Sequence, residues 1–342
     1  MKIAIIGGAG FIGSHLAKTY LDAGHDVLII DTLINGSLDA LDSRARFYQV
    51  DMRDCKLQSI LQRERPDIVS HHAVHRLPDS QPLEELSLVD ADVHVRGLLN
   101  VLDSCVAASV SKIIFASNGN SLYKHDGSTA TAEQGHAKPF VAHEDTPLSP
   151  LKPYDITKVA GEAYVRYYTR KYGLPHTIFR YADVYGETDK ELAQHPLTYF
   201  TRMLLAHRRP VIRGAADEMR DHIFIDDVVR ANLRALARGH NQTLHISTGQ
   251  GHSLNDLFAA VASYVCSELE PLYLSQSLLN PSSCILDNTQ AALALGWTPE
   301  VDLSTGVQWA VDRLCAPVET QRIAAPIPQS TYINDRYLVG AH

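Results

Sequence analysis

The chain has 342 residues, 45% of them hydrophobic and 20% charged, with a formal net charge of −8; this balance allows full cores in two domains, or in one large domain with a smaller lobe. No long basic run is present, which argues against nucleic acid or an anionic membrane as main partner, because phosphate affinity needs clustered Lys and Arg. Five scattered cysteines, Cys55, Cys105, Cys266, Cys284 and Cys315, are never spaced as C-x-x-C and read as reduced, mostly buried thiols.

In chain order, residues 2–6 form a β-branched strand that leads straight into a glycine-rich turn, leaving no room for a secretory leader. No apolar run approaches the roughly 18 residues of a membrane helix, so a soluble, cytoplasmic protein is expected. Residues 27–30, 47–50, 68–70 and 112–116 read as further buried strands, with amphipathic helical stretches at 14–23 and 92–108 between them. Strands alternating with helices predict an α/β fold whose doubly wound parallel sheet is covered on both faces. Residues 153–172 read as a long helix ended by Gly173, with Pro175 just beyond, and 177–180 as another strand. After Gly186 the pattern is less regular, with helices near 197–206, 226–238 and 254–265 before a turn at 295–299.

The turn after the first strand reads Gly7-Gly8-Ala9-Gly10-Phe11-Ile12-Gly13, and a helix opens at Ser14. Glycines at this G-x-x-G-x-x-G spacing let the backbone turn tightly and approach a pyrophosphate, which rests on the unpaired N–H groups of the helix start. The strand before and the helix after give the motif its weight and make the sheet Rossmann-type. Asp31 closes the second strand, 18 residues past Gly13. A carboxylate there accepts from adenosine ribose hydroxyls and repels a 2′-phosphate, favouring NAD over NADP. Asp51, after the third strand, is a candidate contact for the adenine amino group and equally a candidate helix N-cap.

Tyr154 and Lys158 lie four residues apart on the long helix and share a face. A phenol with a pKa of roughly 10 is a poor base at neutral pH. A neighbouring ammonium, together with a positive nicotinamide, favours the phenolate.

With these motifs the chain resembles an extended short-chain dehydrogenase/reductase of the NAD-dependent epimerase/dehydratase family, which acts on nucleotide sugars. The resemblance spans roughly residues 1–315. It rests on the glycine turn, Asp31, Asp51-Met52-Arg53-Asp54, His71-His72-Ala73 and Ser117 followed by Tyr123. Further matches are Pro153 to Lys158, Arg180 to Gly186, Arg220-Asp221-His222-Ile223 and Leu295-Gly296-Trp297-Thr298-Pro299. The resemblance implies that Tyr154 takes a proton from a sugar hydroxyl, usually O4, and that Lys158 holds the nicotinamide ribose and tunes Tyr154. It implies NAD contacts at Gly7, Gly10, Phe11, Ile12, Gly13, Asp31, Asn35, Gly36, Asp51, Met52, His71, Ala73 and Tyr181. Substrate contacts are implied at Asn118, Asp183 and Arg220.

By the same reading, residues 1–175, with 211–245 returning to them, form the NAD-binding domain. Residues 176–210 and 246–315 form a smaller C-terminal substrate-binding lobe, and 316–342 a tail. A homodimer through a bundle of helices 92–108 and 154–172 is implied as well. The leading function is 4-epimerisation of a UDP-sugar through a 4-keto intermediate. Dehydratase, decarboxylase and dehydrogenase activities of the same family are alternatives, and a non-catalytic NAD-binding regulator is the reading from another class.

Four departures bear on the chemistry. The catalytic hydroxyl that the family carries ahead of its tyrosine falls at Gly119 by counting back from Tyr123, which leaves Ser117 or Ser121 for that role. His94 replaces a family Asn, and Asp183 replaces the Asn that faces the phosphates. The Arg expected some ten residues before Asp287 is missing, that stretch reading Gln276-Ser277-Leu278-Leu279-Asn280. Ser121 and Leu122 stand where a dehydratase carries Asp-Glu, so elimination lacks its acid. His71, His72 and His75 read as cofactor-side residues and not as a metal site. Tyr164, Tyr167, Tyr168 and Tyr172 read as core or dimer packing, and Arg208-Arg209 as a solvated helix end.

Overall fold

A computed structural model describes residues 1–75, 83–123, 140–187, 195–214, 216–274 and 284–316. The sequence departure at 276–280 and nearly all of the 316–342 tail lie outside these residues. By its own contacts the described chain divides into two compact units, residues 1–116 with 160–177, and residues 117–159 with 178–316.

In the first unit the β-branched runs become β1 (Lys2–Ile6), β2 (Asp26–Asp31), β3 (Arg46–Gln49), β4 (Ile68–His71) and β5 (Lys112–Asn118). They pair in parallel in the order β3-β2-β1-β4-β5. Ile3 to Ile6 and Val27 to Ile30 are buried without a break, because a parallel sheet is covered on both faces. Helix α1 (Phe11–Asp22) buries Gly13, Leu16, Ala17 and Tyr20, the spacing of one helical stripe. Helices α2 (Lys56–Glu64), α3 (Leu83–Asp90) and α4 (Gly97–Ala107) complete the crossovers.

The sequence reads one helix over 92–108, and here the structure differs. Residues Ala91–Arg96 form a π-helical stretch between α3 and α4. His94 sits inside it, buried, with Nε2 accepting the His75 N–H at 3.1 Å and Nδ1 3.6 Å from the Asp90 carboxylate. The wider turn thus coincides with a tie to the loop after β4, a tertiary contact that helical periodicity does not register.

The chain continues through β6 (Phe140–Ala142), α5 (Pro153–Tyr172), β7 (His176–Tyr181), β8 (Asp183–Tyr185), α6 (Pro196–Leu205), β9 (Val211–Arg213) and β10 (Arg220–Phe224). Then follow α7 (Ile225–Ala235), β11 (Gln242–Ile246), β12 (Gly251–His252), α8 (Leu254–Tyr264), β13 (Leu272–Leu274), β14 (Cys284–Leu286), α9 (Thr289–Leu295) and α10 (Leu303–Cys315). The large sheet has the order β11-β7-β5-β4-β1-β2-β3, a doubly wound order that starts in the middle and grows both ways. Within the second unit a smaller sheet runs β12-β10-β14-β6, with β8 pairing β10. The 295–299 turn is held to α7 by the Trp297 indole, which donates to the Asp227 carbonyl at 3.0 Å. Arg208 and Arg209 are exposed just past the end of α6, and Arg209 also donates to the Glu270 and Pro271 carbonyls at 2.8 and 3.2 Å. Among the described residues no helix is long and apolar enough to cross a membrane.

Candidate active site

Strand order in the first unit reverses at β1, between β4 and β2, and the carboxyl ends of the strands at such a switch point form a crevice. Gly7 leaves β1 with φ of +84°, and a Cβ there would stand 2.5 Å from the Ala73 nitrogen after β4. A Cβ on Gly13 would collide with the Gly7 carbonyl oxygen and stand 2.7 Å from Gly8 Cα. Only glycine lets these two strand ends and the start of α1 approach so closely. Gly10 caps α1 with extended backbone and no side-chain hydrogen bond, leaving the first helical N–H groups without a side-chain cap.

The turn is held from the side by Asp31. One carboxylate oxygen accepts the Ala9 N–H at 3.0 Å and the other the Leu33 N–H at 2.8 Å. Gly36 packs on the same turn, since a Cβ there would stand 2.8 Å from the Ala9 Cβ. Asp51 is not a helix N-cap: α2 begins at Lys56, whose N–H is taken by Asp54 at 2.9 Å. Asp51 is gripped by Arg53 through Nε at 2.9 Å and Nη2 at 2.6 Å, and this guanidinium holds its carboxyl below the usual range. Asn100 of α4 donates to the Met52 carbonyl at 2.7 Å, which fixes the loop after β3. His71 is buried at the end of β4, its ring edge-on to Phe115 with centroids 5.6 Å apart.

The second unit carries the other expected residues. Tyr154 is half-buried at the start of α5 and Lys158 is buried one turn on, its ammonium 5.4 Å from the centroid of the Tyr154 ring. The segment after β5 is clamped by Asp155, a residue that the sequence reading passed over. Its Oδ1 accepts from Ser121 Oγ at 2.7 Å and from Asn118 Nδ2 at 2.8 Å, and Asn118 also donates to Ser121 Oγ at 2.6 Å. Ser117 is buried at the end of β5. At Gly119 a Cβ would stand 2.6 Å from the Tyr181 carbonyl oxygen and collide with the Leu286 side chain. Arg220 on β10 lies 3.6 Å from Asp183 on β8 and 3.4 Å from Glu218. Asp221 is buried and accepts the Thr248 and Gly249 N–H groups at 2.8 Å, and burial pushes its carboxyl up to about 6.

A profile of the NAD dependent epimerase/dehydratase family matches residues 3–247. A putative UDP-glucose 4-epimerase of Methanocaldococcus jannaschii is 32% identical over 311 residues, 91% of this chain and 97% of that protein. The UDP-glucose 4-epimerase of Mycolicibacterium smegmatis is 32% identical over 323 residues, 91% of this chain and 98% of that one. In three dimensions the chain is similar to the Thermotoga maritima UDP-glucose 4-epimerase solved with UDP-glucose. The TM-score is 0.82 at 32% identity, covering 91% of this chain and 98% of that one. The chain belongs to the NAD dependent epimerase/dehydratase family. It is an NAD-dependent epimerase of the extended short-chain dehydrogenase/reductase type with NAD as cofactor, and the glycine cradle at the switch point fits that group.

Against the family pattern, the empty hydroxyl position at 119 is no simple omission, because backbone and side chain have closed over the place where a Cβ would go. Sequence reasoning also missed a buried network behind Tyr123. The Tyr123 hydroxyl accepts from Arg180 Nη1 at 2.8 Å and pairs with His245 Nε2. His245 Nδ1 lies 2.9 Å from the Asp287 carbonyl, which can only accept, so Nδ1 carries the proton and Nε2 accepts from Tyr123. Tyr181, expected near the cofactor, is buried and takes a hydrogen bond from Asn232 of α7 at 2.9 Å. Among the described residues no cluster of His, Cys, Asp and Glu is placed to hold a metal ion.

Proposed function

We propose that this enzyme interconverts the C4 epimers of a UDP-sugar through a transient 4-keto sugar. The relatives named as UDP-glucose 4-epimerases support this reading. The observation that carries it is the pairing of Tyr154 with a buried Lys158 on one face of α5, the ammonium 5.4 Å from the phenol ring.

Tyr154 takes the proton from the O4 hydroxyl and returns it, and the Lys158 ammonium favours the phenolate that does so. Lys158 also holds the ribose beside the nicotinamide. NAD, when bound, supplies a reversible acceptor for the hydride of C4. Gly7, Gly10, Phe11, Ile12 and Gly13 hold the pyrophosphate, and Asp31 takes the adenosine ribose hydroxyls. Asn35, Gly36, Asp51 and Met52 would border the adenosine end, and His71 and Ala73 the nicotinamide end.

Ser121 donates a hydrogen bond to Asp155, Asn118 and Asp155 fix the segment, and Ser117 or Ser121 supplies the hydroxyl for the substrate oxygen. Arg220, 3.6 Å from Asp183 before substrate binds, clamps the diphosphate. In this reading residues 1–175 with 211–245 bind NAD, and 176–210 with 246–315 bind the sugar nucleotide. Cysteines never spaced as C-x-x-C support a cytoplasmic reading, although Cys55, Cys266 and Cys315 are exposed and only Cys105 and Cys284 are buried, against the expectation of mostly buried thiols.

The test is product analysis after incubation with UDP-glucose, UDP-glucuronic acid and UDP-N-acetylglucosamine in turn. An equilibrium mixture of C4 epimers from at least one, with no build-up of NADH, is expected. A dehydrated product, or one NAD consumed per sugar, would overturn the reading.

A further inference from the structure

The cation expected to clamp the substrate is already occupied. Arg220 stands 3.6 Å from the Asp183 carboxylate and 3.4 Å from Glu218. Strands β8 and β10 are parallel, with Asp183 directly opposite His222, and Arg220 lies two residues before His222 on β10. Side chains two apart on a strand share a face, so Arg220, His222 and Asp183 converge on one side of this sheet.

His222 is buried, and neither of its ring nitrogens has a hydrogen-bond partner among the described residues. A buried imidazole without a partner costs free energy, and such a group calls for an explanation. Burial holds its pKa below the ordinary histidine value, so the ring is neutral here. The charged and titratable groups around it are Asp183 on β8, Arg220 on β10, His252 on β12 and Asp256 on α8.

A diphosphate brought to Arg220 competes with Asp183 for the same guanidinium, and the displaced carboxylate is repelled by the phosphates. Its register partner His222 offers two ring nitrogens without partners among the described residues. We propose that Asp183 is a displaceable internal anion: it yields Arg220 to the substrate's diphosphate and turns to His222, which takes one proton from solvent. The proposal rests on the reading of Arg220 as the diphosphate clamp. Two consequences follow from the charge count. An amide at 183 binds diphosphate more tightly than the native carboxylate, and wild-type binding strengthens as pH falls, because the liganded form holds one more proton.

The experiment is calorimetric titration of the NAD-loaded enzyme with UDP, dTDP and GDP at pH 7, in two buffers of different ionisation enthalpy. Wild type is expected to take up close to one proton per diphosphate bound. Asp183→Asn is expected to bind about tenfold tighter and to take up none. His222→Phe is expected to lose the proton uptake while still binding. A misfolded variant cannot bind more tightly, so a gain in Asp183→Asn is not an artefact of folding. Equal affinity of wild type and Asp183→Asn for a diphosphate that binds would overturn the displacement and leave the nucleotide-sugar reading intact. Binding without proton uptake would overturn the transfer to His222. If none of the three diphosphates binds wild type, the nucleotide-sugar reading falls, and the inference with it.

Discussion

Gly119 separates what a residue's identity implies from what its surroundings permit. Counting residues finds a missing hydroxyl and invites its restoration. The Tyr181 carbonyl oxygen, 2.6 Å from where a Cβ would go, forbids it. Gly119→Ser is therefore expected to lower stability by about 1–3 kcal/mol, the usual cost of overpacking a closed site. It should also fail to raise turnover, and thermal melting with an epimerase assay measures both. A stable, faster Gly119→Ser enzyme would show that the segment opens to make room. The role passed over in the sequence belongs to Asp155, adjacent to Tyr154, whose carboxylate takes both Ser121 and Asn118. Those partners stand 34 and 37 residues away along the chain, and no local pattern announces them.

At the scale of elements, local order and tertiary order divide cleanly. The strand β1, the glycine turn and α1 are legible because each feature acts within a few residues. The apolar run makes the strand, the glycines make the turn, and Leu16, Ala17 and Tyr20 make the buried stripe. The stretch 83–107 is less so. One helix over 92–108 is what the periodicity predicts, and the π-helical turn at His94 coincides with a hydrogen bond from the His75 N–H, 19 residues earlier. The Tyr123–His245 pair spans 122 residues and is equally silent in the sequence. A preference for NAD over NADP is predicted from the β1–α1–β2 unit. Because Asp31 is held by Ala9 and Leu33, its carboxylate cannot swing away from a 2′-phosphate without losing both bonds. NAD is expected to bind roughly tenfold or more tightly than NADP, a difference of about 1.4 kcal/mol or above. Fluorescence titration of both cofactors measures it, and equal affinities would remove Asp31 from this role.

For the whole molecule, the exposed tyrosines of α5 support the expectation of a homodimer. Tyr168 of α5 donates to Asp103 of α4 at 2.6 Å, while Tyr164, Tyr167 and Tyr172 stay 38%, 45% and 50% exposed on α5. Aromatic groups at helical spacing on an open face suit a two-fold interface. A dimeric mass by light scattering at micromolar concentration is expected, with Tyr167→Asp shifting it toward the monomer; a monomeric wild type would contradict the dimer. The claim that binds cofactor, helix and substrate together is that Tyr154 moves the proton. Tyr154→Phe keeps the ring and the helix and removes only the ionisable oxygen. Measured against wild type on whichever UDP-sugar is turned over, it should lower kcat by about 10²–10⁴, the usual worth of a positioned proton-transfer group. NAD affinity should stay unchanged, because the glycine turn and Asp31 are untouched. Lys158→Met should lower both, since its ammonium is proposed to serve the cofactor ribose and the phenolate alike. Near-full turnover in Tyr154→Phe, on a substrate that wild type epimerises, would contradict this account.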